Sequence, residues 1–119
     1  MIHPTAFVDS NAKLGSGITV GAYTIIHGNV VIGDDTTIGS HCEIGVKSSL
    51  SDGKPLIIGN SSLIRSHSVF YEGSTFGKNL STGHRVTVRE STEAGEGFQI
   101  GTLGDIQGHC TIGNYVKVH

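Results

Sequence analysis

Residues 26–45 read IHGNVVIGDDTTIGSHCEIG, from Ile26 to Gly45. An isoleucine stands at 26, 32, 38 and 44, six residues apart each time, and three of the four are followed directly by glycine. A helix of period 3.6 cannot hold a strict six on one face, and a plain strand of period 2 has no use for the glycines. A six-residue unit made of one short strand and one turn explains both features. A fixed short period of this kind is the mark of a solenoid.

The comb extends backwards without a gap through Val20, Leu14, Val8 and Ile2. Four residues after each tooth stands a second, smaller or branched residue: Ala6, Ala12, Ile18, Thr24, Val30, Thr36 and Cys42. One large and one small inward position per unit suits three flat walls around a narrow triangular core. Three units then make a coil of 18 residues, with equivalent residues of successive coils about 4.8 Å apart as parallel strands. After Ile44 the comb stops. Residues 46–57 (VKSSLSDGKPLI) read as a loop pushed out of a corner, with Ser-Asp-Gly-Lys-Pro near its centre. The comb restarts at Ile58 and runs through Ile64, Phe70, Phe76, Thr82, Val88, Ala94, Ile100, Ile106 and Ile112 to Val118. The two halves are offset by two residues modulo six, so the third coil is expected to carry two extra residues. Thr82 and Ala94 are undersized teeth, while Leu80 and Phe98 are oversized at the small position. The expected fold is all-β, a parallel β-helix of about six and a half coils with one protruding loop at about 46–57, forming a single domain over residues 1–119.

Composition agrees. Eighteen glycines, two prolines, no tryptophan and 15% charged residues fit a turn-rich β protein. A formal charge of −2 offers no electrostatic case for nucleic acid or an anionic membrane. No apolar run approaches the roughly 20 residues of a membrane span, and no basic-then-apolar leader precedes the first coil. The expected compartment is the cytoplasm, with Cys42 and Cys110 as thiols. The comb ends mid-unit at Val118-His119, so the sequence reads as a solenoid whose last coils and cap are missing.

The whole chain resembles the hexapeptide-repeat acyltransferases. Met1-Ile2-His3-Pro4-Thr5-Ala6, the span from Ile44-Gly45 to Ile58-Gly59 with Gly53 and Pro55 between, and Ile64-Arg65-Ser66 are similar to UDP-N-acetylglucosamine acyltransferases. The stretch from Thr82 to Glu90, TGHRVTVRE, resembles sugar acetyltransferases of surface-polysaccharide gene clusters. The resemblance implies a left-handed coil, a homotrimer, acetyl-CoA as acyl donor and a sugar or nucleotide-sugar as acceptor.

Transfer of an acyl group from a thioester to a sugar hydroxyl or amine needs a base at the nucleophile, and imidazole titrates in the right range. Of seven histidines, His84 follows Gly83 at an outward position near a corner, where the resemblance puts the family's general base. Ser66 and Thr102 are its neighbours in the 18-residue stack. His109, in Gly108-His109-Cys110-Thr111-Ile112-Gly113-Asn114, is the second candidate, although the resemblance aligns Gly108 with the catalytic histidine. Arg89 and Glu90 stack above Tyr71 and Glu72. Tyr71, Arg89 and Gln107 form an outward column able to grip a sugar diphosphate or orient the base, with Glu90 beside it, or alternatively Arg89 and Glu90 join in an ion pair across the trimer interface. Asp105 reads either as a carboxylate that holds the imidazole tautomer or as a turn residue. His3, His27, His41, His67 and His119 are scattered over turn positions and read as ordinary surface residues. Two rival readings are a truncated, non-catalytic solenoid that only oligomerises, and a γ-class carbonic anhydrase. The second is disfavoured because no two histidines stand five apart, so no metal is expected.

Overall fold

The computed structural model describes all 119 residues. Eighteen short strands and no helix build three six-stranded parallel sheets, each pairing every third strand of the chain. The first wall consists of Phe7–Val8, Ile25–Ile26, Glu43–Val46, Val69–Tyr71, Thr87–Val88 and Asp105–Ile106. The second runs from Lys13–Leu14 to Cys110–Ile112 and the third from Thr19–Val20 to Lys117–Val118. Register follows the coil: Phe7 pairs with Ile25, Ile25 with Glu43, and Thr87 with Asp105.

Both inward positions of the hexad line one core of 19 buried apolar residues. The undersized teeth Thr82 and Ala94 are buried together with the oversized Leu80 and Phe98, so volume removed at one position is returned at the other. Phe70, Phe76 and Phe98 fill the middle, Phe76 meeting Phe70 edge-on at 5.5 Å and Phe98 in a stack at 6.3 Å. Serine and threonine at the small position have a second task. Ser62 Oγ donates to Gly59 O and accepts from Leu80 N one coil on. Ser74 Oγ does the same between Arg89 O and Thr92 N. These hydroxyls satisfy backbone groups that the turns leave unpaired in the core.

Glycine after the tooth is a packing requirement. A Cβ on Gly59 would lie 2.5 Å from the backbone carbon of Gly77 and 2.5 Å from Lys78 N. The coils touch there and leave no room for a side chain.

The insertion is larger and shorter-armed than the comb implied. Glu43 pairs with Val69 and Val31 with Ile57, steps of 26 residues where the regular step is 18, so eight residues are added, not two. Leu56 and Ile57 belong to the strand Leu56–Ile58, and Val46 closes the strand Glu43–Val46, which leaves 47–55 as the loop instead of 46–57. Gly45, at φ +89, is the bulge where the register shifts between Phe70 and Tyr71.

Candidate active site

The candidate residues divide between two of the three corners. His84 stands at the corner from the third wall to the first, exposed, with Nδ1 sharing a 2.8 Å hydrogen bond with Ser66 Oγ one coil below. Its backbone N–H donates to Thr102 Oγ1 at 3.1 Å. The small residues flanking His84 in the stack therefore bond to it. Asp105 does not hold the imidazole: its Oδ1 accepts from Gln107 Nε2 at 2.7 Å on the outer face of the first wall.

Tyr71, Arg89, Glu90 and His109 gather at the corner from the first wall to the second. The Arg89 guanidinium lies 4.2 Å over the centre of the Tyr71 ring. Its Nε donates to Glu90 Oε1 at 2.9 Å and its Nη2 to Oε2 at 3.4 Å. The ion pair is thus within one chain, not across a subunit interface as the sequence allowed. Glu90 itself is buried, 1% exposed, beneath that outward column. The Arg89 hydrogen bond, aided by Ser48, outweighs burial and brings the Glu90 carboxyl down to about 2. Bonding to Glu90 correspondingly raises the Arg89 guanidinium above its usual range.

Loop 47–55 is held onto this corner by a second buried carboxylate that the sequence did not mark. Glu72 Oε1 meets Ser51 Oγ at 2.6 Å, and Oε2 accepts from Asn29 Nδ2 at 3.1 Å. Asn29 Nδ2 also donates to Gly53 O. The far arm of the loop overhangs a cleft of about 530 Å³ on the second wall, lined by Lys54, Gly73, Ser91, Glu93, His109 and Cys110 among others. Cys42 lies in the core, where burial raises its thiol.

Arg89 and His84 sit at opposite ends of one stretch of the first wall. Five residue steps of about 3.3 Å bound the separation of their backbones at roughly 16 Å, less what the bend at residues 84–85 takes up.

Three parallel six-stranded walls wound with an 18-residue step make the chain a β-solenoid. Residues 11–46 match the family described as bacterial transferase hexapeptide (six repeats). The sequence is 31% identical over 137 residues to an acyl-[acyl-carrier-protein]–UDP-N-acetylglucosamine O-acyltransferase of Syntrophobacter fumaroxidans, spanning 97% of this chain and 49% of the relative. It is 32% identical over 128 residues to the enzyme of the same description from Bartonella henselae, spanning 97% of this chain and 46% of that one. The chain therefore spans about half the length of these relatives. Among solved structures, it superposes with a TM-score of 0.66 and 19% identity on a histidine variant of perosamine N-acetyltransferase from Caulobacter crescentus, which holds CoA and GDP-perosamine; the overlap covers 98% of this chain and 50% of that one. The acetyltransferase domain of PglB from Neisseria gonorrhoeae superposes with a TM-score of 0.55 at 13% identity, over 91% of this chain and 54% of that one. A coil of opposite hand would not superpose in this way, so the chain winds as these neighbours do. No helix is long and apolar enough to cross a membrane.

Proposed function

We propose that this chain is the β-helical part of an acyltransferase that moves an acetyl or longer acyl group from a CoA-type thioester to a hydroxyl or amine of a nucleotide-activated sugar, in the cytoplasmic assembly of a surface polysaccharide. The observation that carries the reading is His84, an exposed imidazole fixed at Nδ1 by Ser66 Oγ, with no partner in the chain for Nε2. With Nδ1 protonated and donating to Ser66, the Nε2 lone pair faces outward. It takes the proton from the sugar nucleophile as the new C–O or C–N bond forms at the thioester carbonyl. Collapse of the tetrahedral intermediate breaks the C–S bond, and the proton on Nε2 passes to the departing thiolate.

Arg89 on Tyr71, with Glu90 behind it and His109 beside the cleft, binds the acceptor. Because these residues lie a wall's width from His84, the working site is formed in a homotrimer, between the corner of one copy and the wall of the next. A second reading makes His109 the base, since it lines the cleft with Lys54 and Ser91. Release of CoA from acetyl-CoA, followed with a thiol reagent against a panel of nucleotide-linked amino- and hydroxy-sugars, separates the two. His84→Ala should abolish transfer and leave the assembly intact, while His109→Ala should chiefly raise the acceptor KM. The reverse pattern establishes the second reading. Full turnover in both variants rejects both.

A further inference from the structure

The corners from the second wall to the third and from the third to the first are each crossed through a residue in the left-handed backbone region, as is the remaining corner from Gly73 onward, at Gly73, Ser91, Gly108 and His109. The first two corners fill that position differently. The corner from the second wall to the third uses Gly17, Asp35, Ser61, Asn79 and Gly97 before Tyr115, mostly short residues that relieve the conformation. The corner from the third wall to the first uses Tyr23, His41, His67, Arg85 and Leu103, at φ values of 57 to 66. Bulky rings and a guanidinium are held here at the same φ that short polar residues adopt at the other corner, and large exposed side chains kept where short ones suffice point to a use.

The side chains form a ladder along the coil axis. Tyr23 and His41 rings lie 5.3 Å apart at 41°, and His41 and His67 stack at 4.9 Å and 5°. Arg85 is the next rung, and His84 stands beside it. All of them are exposed. No carboxylate answers this group. On the first wall, Glu43 is taken by His27 at 2.8 Å and Asp105 by Gln107 at 2.7 Å. On the rim of the third wall the neighbour is another cation, Arg65, whose Nη1 donates to Thr82 O. Parallel imidazoles present their nitrogens along one edge and do not converge on a common point, and no three metal-ligating side chains meet anywhere in the chain. The arrangement suits an extended anion. From His41 to Arg85 is two coil steps, roughly 10 Å, a length that linked phosphoryl groups span and a single carboxylate does not.

We propose that the ladder His41–His67–Arg85, with His84 at its side, is a binding site for a diphosphate-bearing small molecule, and that binding is coupled to proton uptake by the imidazoles. In the free chain His67 titrates below its ordinary value, first through desolvation and then through the nearby charges of Arg85, His41 and His84. The charge of a bound polyanion opposes those three cationic influences, so His67 takes up a proton as it binds. Affinity then rises as pH falls through the histidine range. The site stands whether or not His84 is a base, because its test needs no turnover.

Inorganic pyrophosphate titrated calorimetrically into the intact protein is the direct probe, at about pH 8 and about pH 6, in two buffers of different ionisation enthalpy. Binding should tighten at least about tenfold at the lower pH, with roughly one proton taken up per site. His67→Gln should remove most of the pH dependence. Arg85→Gln should weaken binding at both pH values while leaving the thermal midpoint within about 2 °C of the parent. Lys54→Gln, in the other cleft, should change nothing. Binding that is independent of pH, or lost in Lys54→Gln and kept in His67→Gln and Arg85→Gln, overturns the proposal. So does a change of oligomeric state in those two variants without a change in pyrophosphate affinity, which would make the ladder a contact between copies.

Discussion

Glu72 and Glu90 are both buried, both next to loop 47–55 and one coil apart, yet replacing each by glutamine should give opposite results. The Ser51 hydroxyl lies 2.8 Å from Ser48 O and 2.6 Å from Glu72 Oε1. One hydroxyl proton cannot serve two acceptors. An amide at 72 resolves the conflict: its NH₂ donates to Ser51 Oγ, Ser51 donates to Ser48 O, and its oxygen still accepts from Asn29 Nδ2. Glu72→Gln should therefore cost no more than about 0.5 kcal/mol. At position 90 both oxygens accept from Arg89. An amide there puts a donor against the guanidinium and removes a charge-assisted bond. Such a bond is worth about 1.5–3 kcal/mol, and the half-exposed Arg89 can recover some solvation, which leaves a loss of about 2 kcal/mol. For a chain of this length 1 kcal/mol corresponds to about 4 °C. The thermal midpoint followed by circular dichroism should fall about 8 °C in Glu90→Gln and stay within about 2 °C in Glu72→Gln. Trypsin cleavage after Lys47 should accelerate only in Glu90→Gln, which removes the carboxylate that the neighbouring Ser48 helps keep ionised. Equal losses in the two variants, or a larger one in Glu72→Gln, would refute this account of how the loop is held.

The same carboxylate sets an acid limit. Glu90 is held at about 2 in the folded chain against an ordinary 4.5. Its contribution is complete above the ordinary value and is lost as pH falls from there toward 2, so the midpoint of the parent should drop across that window and the Glu90→Gln curve should run flatter. Gly59→Ala should cost about 1–3 kcal/mol by forcing coils apart, since the new Cβ meets backbone at 2.5 Å. Gly113→Ala, where a Cβ meets nothing within 4 Å, should stay within about 0.5 kcal/mol of the parent in chemical denaturation.

The walls were legible because the inward residue returns every six positions and a glycine follows it in most hexads, at Gly59 in a turn too tight for Cβ. The insertion was legible only modulo six. A comb that restarts in phase plus two cannot tell two added residues from eight, and only the pairing of Glu43 with Val69 separates them. Position 84 could be read as outward from the hexad alone. The burial of Glu72 could not, because it depends on Asn29, 43 residues away, and on a loop folding back over its own corner. The stacked imidazoles were hidden by the same insertion. His41 and His67 are 26 apart, so a search at 18 treats them as unrelated turn residues, although they occupy one column across the eight added positions. Asp105 shows the opposite failure: it was read as a corner carboxylate able to hold an imidazole, but it lies in the strand Asp105–Ile106 and accepts from Gln107.

The unequal corners also limit how the site can work. All three turn the same chain through the same angle, so whatever the fold alone requires should appear in each of them. The corner from the second wall to the third shows what the bare requirement looks like in Gly17, Asp35, Ser61, Asn79 and Gly97, with Tyr115 in the last coil its one bulky member. Imidazoles and arginines at the other two exceed it, and both of those corners border the first wall. Reactive groups therefore frame one face of the prism, His84 and Arg85 on one edge and Tyr71, Arg89 and His109 on the other. A small ligand bound to one edge does not reach the other within a single copy, since up to roughly 16 Å of wall lies between them. Either an elongated ligand lies across the first wall, or the edge of one copy meets the opposite edge of the next. The second arrangement predicts that an inactive His84→Ala subunit and an inactive Arg89→Ala subunit regain activity when mixed and reassembled, because some clefts then draw both intact edges from different chains. If one ligand instead crosses the wall of a single copy, mixing restores nothing.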